Sequence, residues 1–258
     1  MIRLLLLLTA LVAPLVHGAE TAGGRSLRLL YVQAPDEAPA SLFLVVGKDI
    51  QEIDLPRLSI STKRLAVPAG LARVYAATKA PTKAEPLPAD APFVDIPETM
   101  GDTLVVLLPT DEPGALSFRM LPVEFSRSKI PEGAVLWFNL SVRTIYAKLG
   151  SVQAAVAPRQ TAIMMPPGKP GDVYHVLVDV SPEVGGTESV PLMRTSWVKE
   201  SGQRHLLFVV PNPDRKVPRI VAVPEHMEPE PSPNNEVHGG AKAGAKAGAK
   251  VGAVKPAK

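Results

Sequence analysis

The stretch from Gly202 to Glu225, GQRHLLFVVPNPDRKVPRIVAVPE, decides the fold. Its two Val- and Leu-rich runs flank a turn of Pro, Asn and Asp, which is the pattern of a β-hairpin. An earlier stretch, Gly101 to Glu124, GDTLVVLLPTDEPGALSFRMLPVE, repeats this pattern. The match places the strand Phe118–Leu121 against Ile220–Val223. The prolines that close the two strands lie 13 residues apart in both stretches (Pro109 and Pro122, Pro211 and Pro224).

Two further pieces repeat in the same order. Val67 to Gly70 (VPAG) resembles Met165 to Gly168 (MPPG), and Leu27–Gln33 matches Val135–Leu140. A period of roughly 100 residues is the size of one small sandwich domain. We therefore predict an all-β protein of two tandem antiparallel β-sandwich domains, Ig-like or jelly-roll-like, that arose by internal duplication. The alternative is that any two β-hairpins look alike.

The predicted domain boundaries follow the repeat. The first sandwich spans residues 25–125 and the second spans residues 126–226. Residues 79–92, KAPTKAEPLPADAP, read as a long surface loop of the first domain, equivalent to residues 181–189 of the second. The run Ala134–Leu140, AVLWFNL, is the most apolar in the mature chain and predicts a central strand that is buried on both faces.

Composition excludes several classes of protein. The 258 residues include 28 prolines spread along the chain, which are incompatible with long helices. The chain has no cysteine, so it has no disulfide, thiolate catalyst or Cys–metal site.

The N-terminus reads as an export signal, residues 1–18. Arg3 supplies a short positive region, Leu4 to Val12 is apolar, and Pro14 ends the apolar run. Cleavage is predicted after Gly18; an uncleaved anchor is the alternative. No later apolar run reaches the length of about 18 residues that spans a bilayer, so we predict a periplasmic or secreted protein without a transmembrane span.

The basic charge belongs to the C-terminal segment, residues 227–258. The net charge of the chain is +3, and without Arg3 and the tail lysines residues 19–240 carry −3. A Pro/Glu spacer leads into AKAG repeats that we predict to be disordered. Flexible lysines can bind polyanions such as lipopolysaccharide, teichoic-type polymers or anionic lipid by counterion release; a solubilising spacer is the alternative. The predicted polyanion-binding residues are Lys242, Lys246, Lys250, Lys255 and Lys258.

No motif marks an active site. The chain has no G-x-S-x-G, no G-x-G-x-x-G and no phosphate loop. The histidines lack the short spacing of metal ligands. We therefore predict no catalytic residue, no metal and no cofactor. A hydrolase with a site assembled from loops remains an alternative, which requires His175 or His205 in a cleft beside a carboxylate or serine.

Two tryptophans suggest different roles. Trp137 lies in the most apolar run and is predicted to be in the core. Trp197 is flanked by Ser196, Val198 and Lys199 and is the candidate for an exposed, sugar-stacking ring, as in a carbohydrate-binding module. Asn139-Leu-Ser141 matches the N-glycosylation sequon, at or beside a predicted strand.

Residues 133–224 resemble short exported β-sandwich proteins, uncharacterised, of planctomycete and verrucomicrobial bacteria. The shared features are a strand ending in Asn139-Leu-Ser141, the pair Trp197-Val198 and the strand Gln203–Val209, QRHLLFV. This resemblance implies the fold and export but no activity. Leu136–Asn139, LWFN, is also similar to a strand of periplasmic pilus chaperones, although it falls in the wrong domain here.

Together these features predict an exported, non-catalytic structural or interaction protein of the bacterial periplasm or cell envelope. The body would contact another envelope protein, and the tail an anionic polymer or lipid surface. A carbohydrate-binding module, a secreted hydrolase and a pilus-chaperone-like assembly factor are the alternatives.

Overall fold

The computed structural model describes residues 24–110, 116–183, 185–212 and 214–227. Within these ranges the chain forms sixteen strands and no helix, hence no helix that could cross a membrane. The predicted signal peptide and lysine tail lie outside the described residues. The strands are β1 Ser26–Tyr31, β2 Ser41–Val46, β3 Asp49–Asp54, β4 Leu65–Ala66, β5 Ala72–Ala77, β6 Phe93–Ile96, β7 Asp102–Pro109, β8 Phe118–Glu124, β9 Val135–Asn139, β10 Ile145–Leu149, β11 Val152–Val156, β12 Thr161–Met164, β13 Val173–Val180, β14 Val190–Val198, β15 Gln203–Val210 and β16 Arg219–His226.

The two halves of the chain have the same strand order. The first half forms the sheets β4–β1–β7–β8 and β3–β2–β5–β6. The second half forms β12–β9–β15–β16 and β11–β10–β13–β14, so that adding eight to each strand number converts one half into the other. The prediction of two tandem β-sandwiches with a duplicated architecture is confirmed. The long loop predicted over residues 79–92 connects β5 to β6, and residues 181–189 connect the equivalent strands β13 and β14.

The expectation of purely antiparallel sheets is wrong for one strand pair in each half. β1 runs parallel to β7, with Leu29 opposite Val105, and β9 runs parallel to β15, with Trp137 opposite Leu207. In each half the chain visits the other sheet between these two strands, so no tight hairpin forces them to be antiparallel. Apolar periodicity carries no information on strand direction, which is why the sequence could not reveal this pairing.

Three hydrophobic cores separate four layers. We call β4–β1–β7–β8 and β12–β9–β15–β16 the inner sheets and the other two the outer sheets. Each inner sheet packs one face on its own outer sheet, through Leu29 and Val105 in the first half and Trp137 and Leu207 in the second. The opposite faces of the two inner sheets pack on each other and form a third core, the junction core. Its members include Leu30, Leu104, Val106, Leu108, Leu136, Phe138, Leu206, Phe208 and Val210.

Burial on both faces explains the apolar runs of the sequence. Every residue of β9 is buried, as predicted for the run Ala134–Leu140, and Trp137 is fully buried in the core of the second sandwich. All residues from Thr103 to Leu108 are also buried. The chain through Met227 forms one compact unit, and its division into domains 25–125 and 126–226 stays a prediction.

The residue-by-residue match between the hairpins needs a correction. Leu104 pairs with Val123, and its counterpart Leu206 pairs with Val223. Val123 and Val223 are therefore equivalent, whereas the sequence match placed Leu121 against Val223. The second hairpin has a turn two residues shorter, and a shift by two leaves the same side chains facing inward. The equal spacing of the prolines is thus not a structural equivalence.

The VPAG and MPPG segments each bind a cationic side chain through their backbone carbonyls. In the first half the Arg25 guanidinium donates to the carbonyls of Pro68 (2.6 Å) and Gly70. In the second half the Lys199 ammonium donates to the carbonyls of Pro166 (2.9 Å) and Gly168 (2.8 Å). The carbonyls of the two segments thus accept hydrogen bonds from cationic side chains that come from different positions in the chain. This supports the predicted match between these segments.

An ionic cluster is buried at one end of the junction core. Arg204 forms an ion pair with Glu225 and donates to the carbonyls of Ile130 (2.6 Å) and Phe125 (3.0 Å). Glu225 also pairs with Arg28 of the first half at 2.5 Å. The guanidinium carbon of Arg204 lies 3.6 Å from the centroid of the Phe125 ring. The cluster therefore ties the first strand, the interdomain link and the last hairpin together.

Candidate functional site

The histidines do not assemble a catalytic or metal site among the described residues. His175 Nδ1 lies 3.0 Å from Ser196 Oγ on the face of an outer sheet, where both side chains are exposed. His205 is half-buried against Trp197, and burial lowers its pKa. No group of three or more His, Cys, Asp or Glu side chains that could hold a metal occurs in the described part of the chain.

Trp197 is half-buried rather than freely exposed. Its ring stacks on His205 at 5.2 Å between centroids and meets Tyr174 edge-on at 6.4 Å. Burial, reinforced by the charge of Glu200, raises the pKa of Tyr174 to about 12. Because His205 covers one face of the indole, a sugar could stack only on the other face. Sugar binding by Trp197 stays a prediction, as does polyanion binding by the tail lysines outside the described residues.

The sequon residue Asn139 has a structural role. Its side chain is fully buried and donates from Nδ2 to the carbonyls of Arg143 (2.7 Å) and Val156 (2.8 Å). Its Oδ1 accepts from the backbone N–H (3.1 Å) and the hydroxyl (2.7 Å) of Ser141. The Asn-Leu-Ser segment thus closes the connection between β9 and β10, and its amide nitrogen is not accessible to a glycan.

Replacing Asn139 with alanine should lower the free energy of unfolding by about 1–3 kcal/mol, because the carbonyls of Val156 and Arg143 lose a donor and the backbone N–H of Ser141 loses its acceptor. Val142, which is 85% exposed in the same connection, is the matched control position. Val142→Ala should change stability by less than about 0.5 kcal/mol. Urea denaturation of both variants measures the difference, and equal values would contradict the structural role.

A groove crosses the junction between the two sandwiches at the end of the shared core opposite the ionic cluster. It consists of two adjoining concavities of ≈ 450 Å³ and ≈ 650 Å³, which share Leu108, Arg119 and Leu140. We call it the junction groove. Its remaining lining residues are Gln33, Pro109, Met120, Leu121, Ser141, Val142, Pro158, Arg159, Val210, Pro211 and Arg219.

Both sandwiches contribute equivalent residues to the junction groove. Arg119, the second residue of β8, pairs with Leu108 in the first hairpin, and Arg219, the first residue of β16, pairs with Val210 in the second. The two arginines are exposed, and both line the smaller concavity at the end of the junction core. The groove thus exists only because the inner sheets pack face to face.

Two residues of the groove have strained backbones. Gln33 and Arg159 have positive φ values of 59° and 62°, a conformation that non-glycine residues seldom adopt. The backbone N–H of Arg159 donates to the carbonyl of Asn139 (2.7 Å), which anchors this turn to the buried β9. With its amide oxygen turned toward Arg219, Gln33 accepts from Nε (3.3 Å) and Nη2 (2.5 Å). Strain of this kind concentrates at binding sites.

The arginines of the groove differ from most others in the described chain. Seven arginines pair with carboxylates elsewhere: Arg28, Arg57, Arg64, Arg73, Arg143, Arg194 and Arg204. No carboxylate of the described residues forms an ion pair with Arg119, Arg159 or Arg219. The groove therefore combines a net positive charge with an apolar wall of Leu108, Leu121 and other aliphatic side chains.

Sequence reasoning missed these three arginines. Each is a single basic residue in or beside a turn, and no local motif distinguishes it. The signal that could have found two of them is their common position in the duplicated hairpin. The uncorrected match of the hairpins concealed it, because it set Arg119 against Val221 instead of Arg219.

The fold defines a tandem β-sandwich protein, and comparisons with known proteins add little to that class. No family model matches the chain, and no curated protein is similar to it. Among solved structures, the Bacillus anthracis TIE protein is similar with 14% identity and a TM-score of 0.22, over 72% of this chain and 34% of that one. This chain therefore spans about a third of that protein's length.

A putative cell adhesion protein from Bacteroides uniformis is similar with 9% identity and a TM-score of 0.23, over 81% of this chain and 99% of that one. At these scores neither likeness carries an argument about function. The resemblance to exported planctomycete and verrucomicrobial proteins stays a prediction.

Proposed function

We propose that this protein is an exported, non-catalytic interaction protein of the bacterial periplasm or cell envelope. One observation carries the proposal: two sandwiches share a third core, and the surface groove that this packing creates is lined by arginines without described acidic partners. A fused four-layer body suits a protein that presents a fixed surface to a partner. The isolated His175–Ser196 pair on an open sheet face does not favour the hydrolase alternative.

The lysine tail provides the second part of the proposed function. Five lysines and no acid lie between Ala241 and Lys258, at the end of a body whose formal charge is negative. A cationic segment of this composition attracts anionic polymers or lipid surfaces through counterion release, with an affinity that falls as salt rises. The tail would hold the protein at the envelope, and the body would make the more specific contact.

Replacing the five tail lysines with glutamine in the full-length protein should abolish most of its retention on isolated envelopes at low salt. The reason is that the tail supplies the dominant positive charge. Co-sedimentation at increasing NaCl concentrations measures the effect. The matched control replaces Lys48, Lys63, Lys79, Lys83 and Lys148, which are exposed on the body, with the same loss of five charges. Equal retention of the tail variant and the wild type would remove the tail from the proposal.

A further inference from the structure

We propose that the junction groove is a phosphate-binding site, in which Arg119, Arg159 and Arg219 hold the anionic group of an envelope ligand. This inference rests on the proposed function, because it names the ligand chemistry for the contact that the body makes.

The chemistry of the side chains points to phosphate. A guanidinium presents its donors in a planar fork that matches the oxygens of phosphate or carboxylate. Three positive charges on one groove favour a group that carries more than one negative charge over a single carboxylate. Leu108, Leu121 and Leu140 form an apolar wall on one side of the groove, and a less polar surrounding strengthens the attraction between opposite charges.

The arrangement differs from that of an ordinary solvated surface. The three arginines come from β8, from the turn between β11 and β12, and from β16, which belong to different sandwiches. The turn that carries Arg159 is held in a left-handed conformation by its hydrogen bond to Asn139. Gln33, also left-handed, orients Arg219 when its amide oxygen faces the guanidinium. One strained position is thus Arg159 itself and the other, Gln33, lies beside Arg219, and both are anchored to inner-sheet strands.

The ligand could present its phosphate in either of two ways. A soluble glycerol phosphate polymer and a phospholipid headgroup carry the same group. The exposed, apolar Val142 at the rim of the groove is compatible with both. The shared chemistry is what the groove recognises, and the experiment separates the sources.

Isothermal titration calorimetry of the full-length protein with inorganic pyrophosphate tests the site. We expect binding with a stoichiometry of one. The triple variant R119Q/R159Q/R219Q should bind at least about tenfold more weakly, because charge-assisted hydrogen bonds are lost. The matched variant K48Q/K83Q/K148Q loses the same charge elsewhere on the body and should stay within about twofold of the wild type. Asp111 and Glu112, which lie in the β7–β8 connection outside the described residues, are unchanged in both variants.

A second measurement does not depend on folding of the triple variant. In the wild-type protein, pyrophosphate should shift the guanidinium Nε–H resonances of Arg119, Arg159 and Arg219 and leave that of Arg57 unchanged. Undiminished binding by a folded triple variant, or unchanged resonances of all three arginines, would overturn the proposal.

The tail variant distinguishes failure of the groove from failure of the proposed function. If the groove is the site, the variant without the five tail lysines should keep its stoichiometric binding of pyrophosphate. If that binding disappears with the tail while envelope retention also depends on the tail, the groove proposal is wrong and the proposed function stands. Competition by soluble polyglycerol phosphate, compared with co-sedimentation on phosphatidylglycerol vesicles, then identifies the source of the phosphate.

Discussion

Replacing Glu225 with glutamine should lower the free energy of unfolding by about 3–5 kcal/mol, the cost of breaking a buried ion pair by removing one partner. Glu225 is the only described carboxylate that pairs with Arg204, whose side chain is 3% exposed, and it also pairs with Arg28. The amide keeps the shape of the carboxylate but removes its charge, so two guanidiniums remain in the junction without a counter-ion. Chemical denaturation measures the effect.

An exposed ion pair provides the control. Asp36 pairs with Arg57 at 3.2 Å, but the two side chains are 95% and 56% exposed. Asp36→Asn should therefore cost no more than about 1 kcal/mol. A loss of the same small size for Glu225→Gln would mean that water reaches the cluster and that it does not fix the two halves.

The apolar alternative to the cluster gives an independent check. Replacing Arg28, Arg204 and Glu225 together with Met, Met and Leu removes every charge at once. Because no ion of the cluster is left unpaired, part of the stability lost in Glu225→Gln should return; the rest stays lost because the buried carbonyls of Ile130 and Phe125 lose their donor. A triple variant as unstable as Glu225→Gln would show that the hydrogen bonds and packing of these side chains, rather than the pairing of their charges, are what the cluster contributes.

The alternation of apolar residues and the prolines at strand ends were sufficient to predict the strands and the duplication. Alternating runs such as Ile145–Leu149 and the proline-closed hairpins specify β-structure because side chains on a strand alternate between two faces. The run Ala134–Leu140 even indicated a strand buried on both faces. The run could not indicate which sheet packs on the second face of this strand, because an apolar face has the same composition whichever sheet covers it.

The cationic side chains that bind the carbonyls of the VPAG and MPPG segments could not be predicted from the sequence. The VPAG and MPPG segments are similar in sequence, yet Arg25 precedes the first segment and Lys199 follows the second. Such partners are brought together by the fold, across separations of 43 and 33 residues along the chain. The same holds for the junction groove, because Arg119 and Arg219 line one groove only when the inner sheets pack on each other.

Replacing Phe208 with alanine should test whether the two sandwiches unfold as one unit. The Phe208 ring stacks on Phe138 in the junction core, with centroids 4.5 Å apart and an interplanar angle of 9°. Both side chains are buried. Removing the ring should cost about 3–5 kcal/mol, the range for Phe→Ala in a packed core. The unfolding midpoint measured by circular dichroism should fall accordingly.

The informative comparison is with Phe118→Ala in the core of the first sandwich, where Phe118 packs edge-on against Tyr31 at 5.5 Å. Both tryptophans, Trp137 and Trp197, belong to the second sandwich, so their fluorescence reports on that half alone. If the junction core couples the halves, Phe118→Ala should shift the fluorescence midpoint as much as it shifts the circular dichroism midpoint. A fluorescence midpoint that Phe118→Ala leaves unchanged would show that the two sandwiches unfold independently. A junction core that stabilises both halves must transmit a loss of stability from one half to the other.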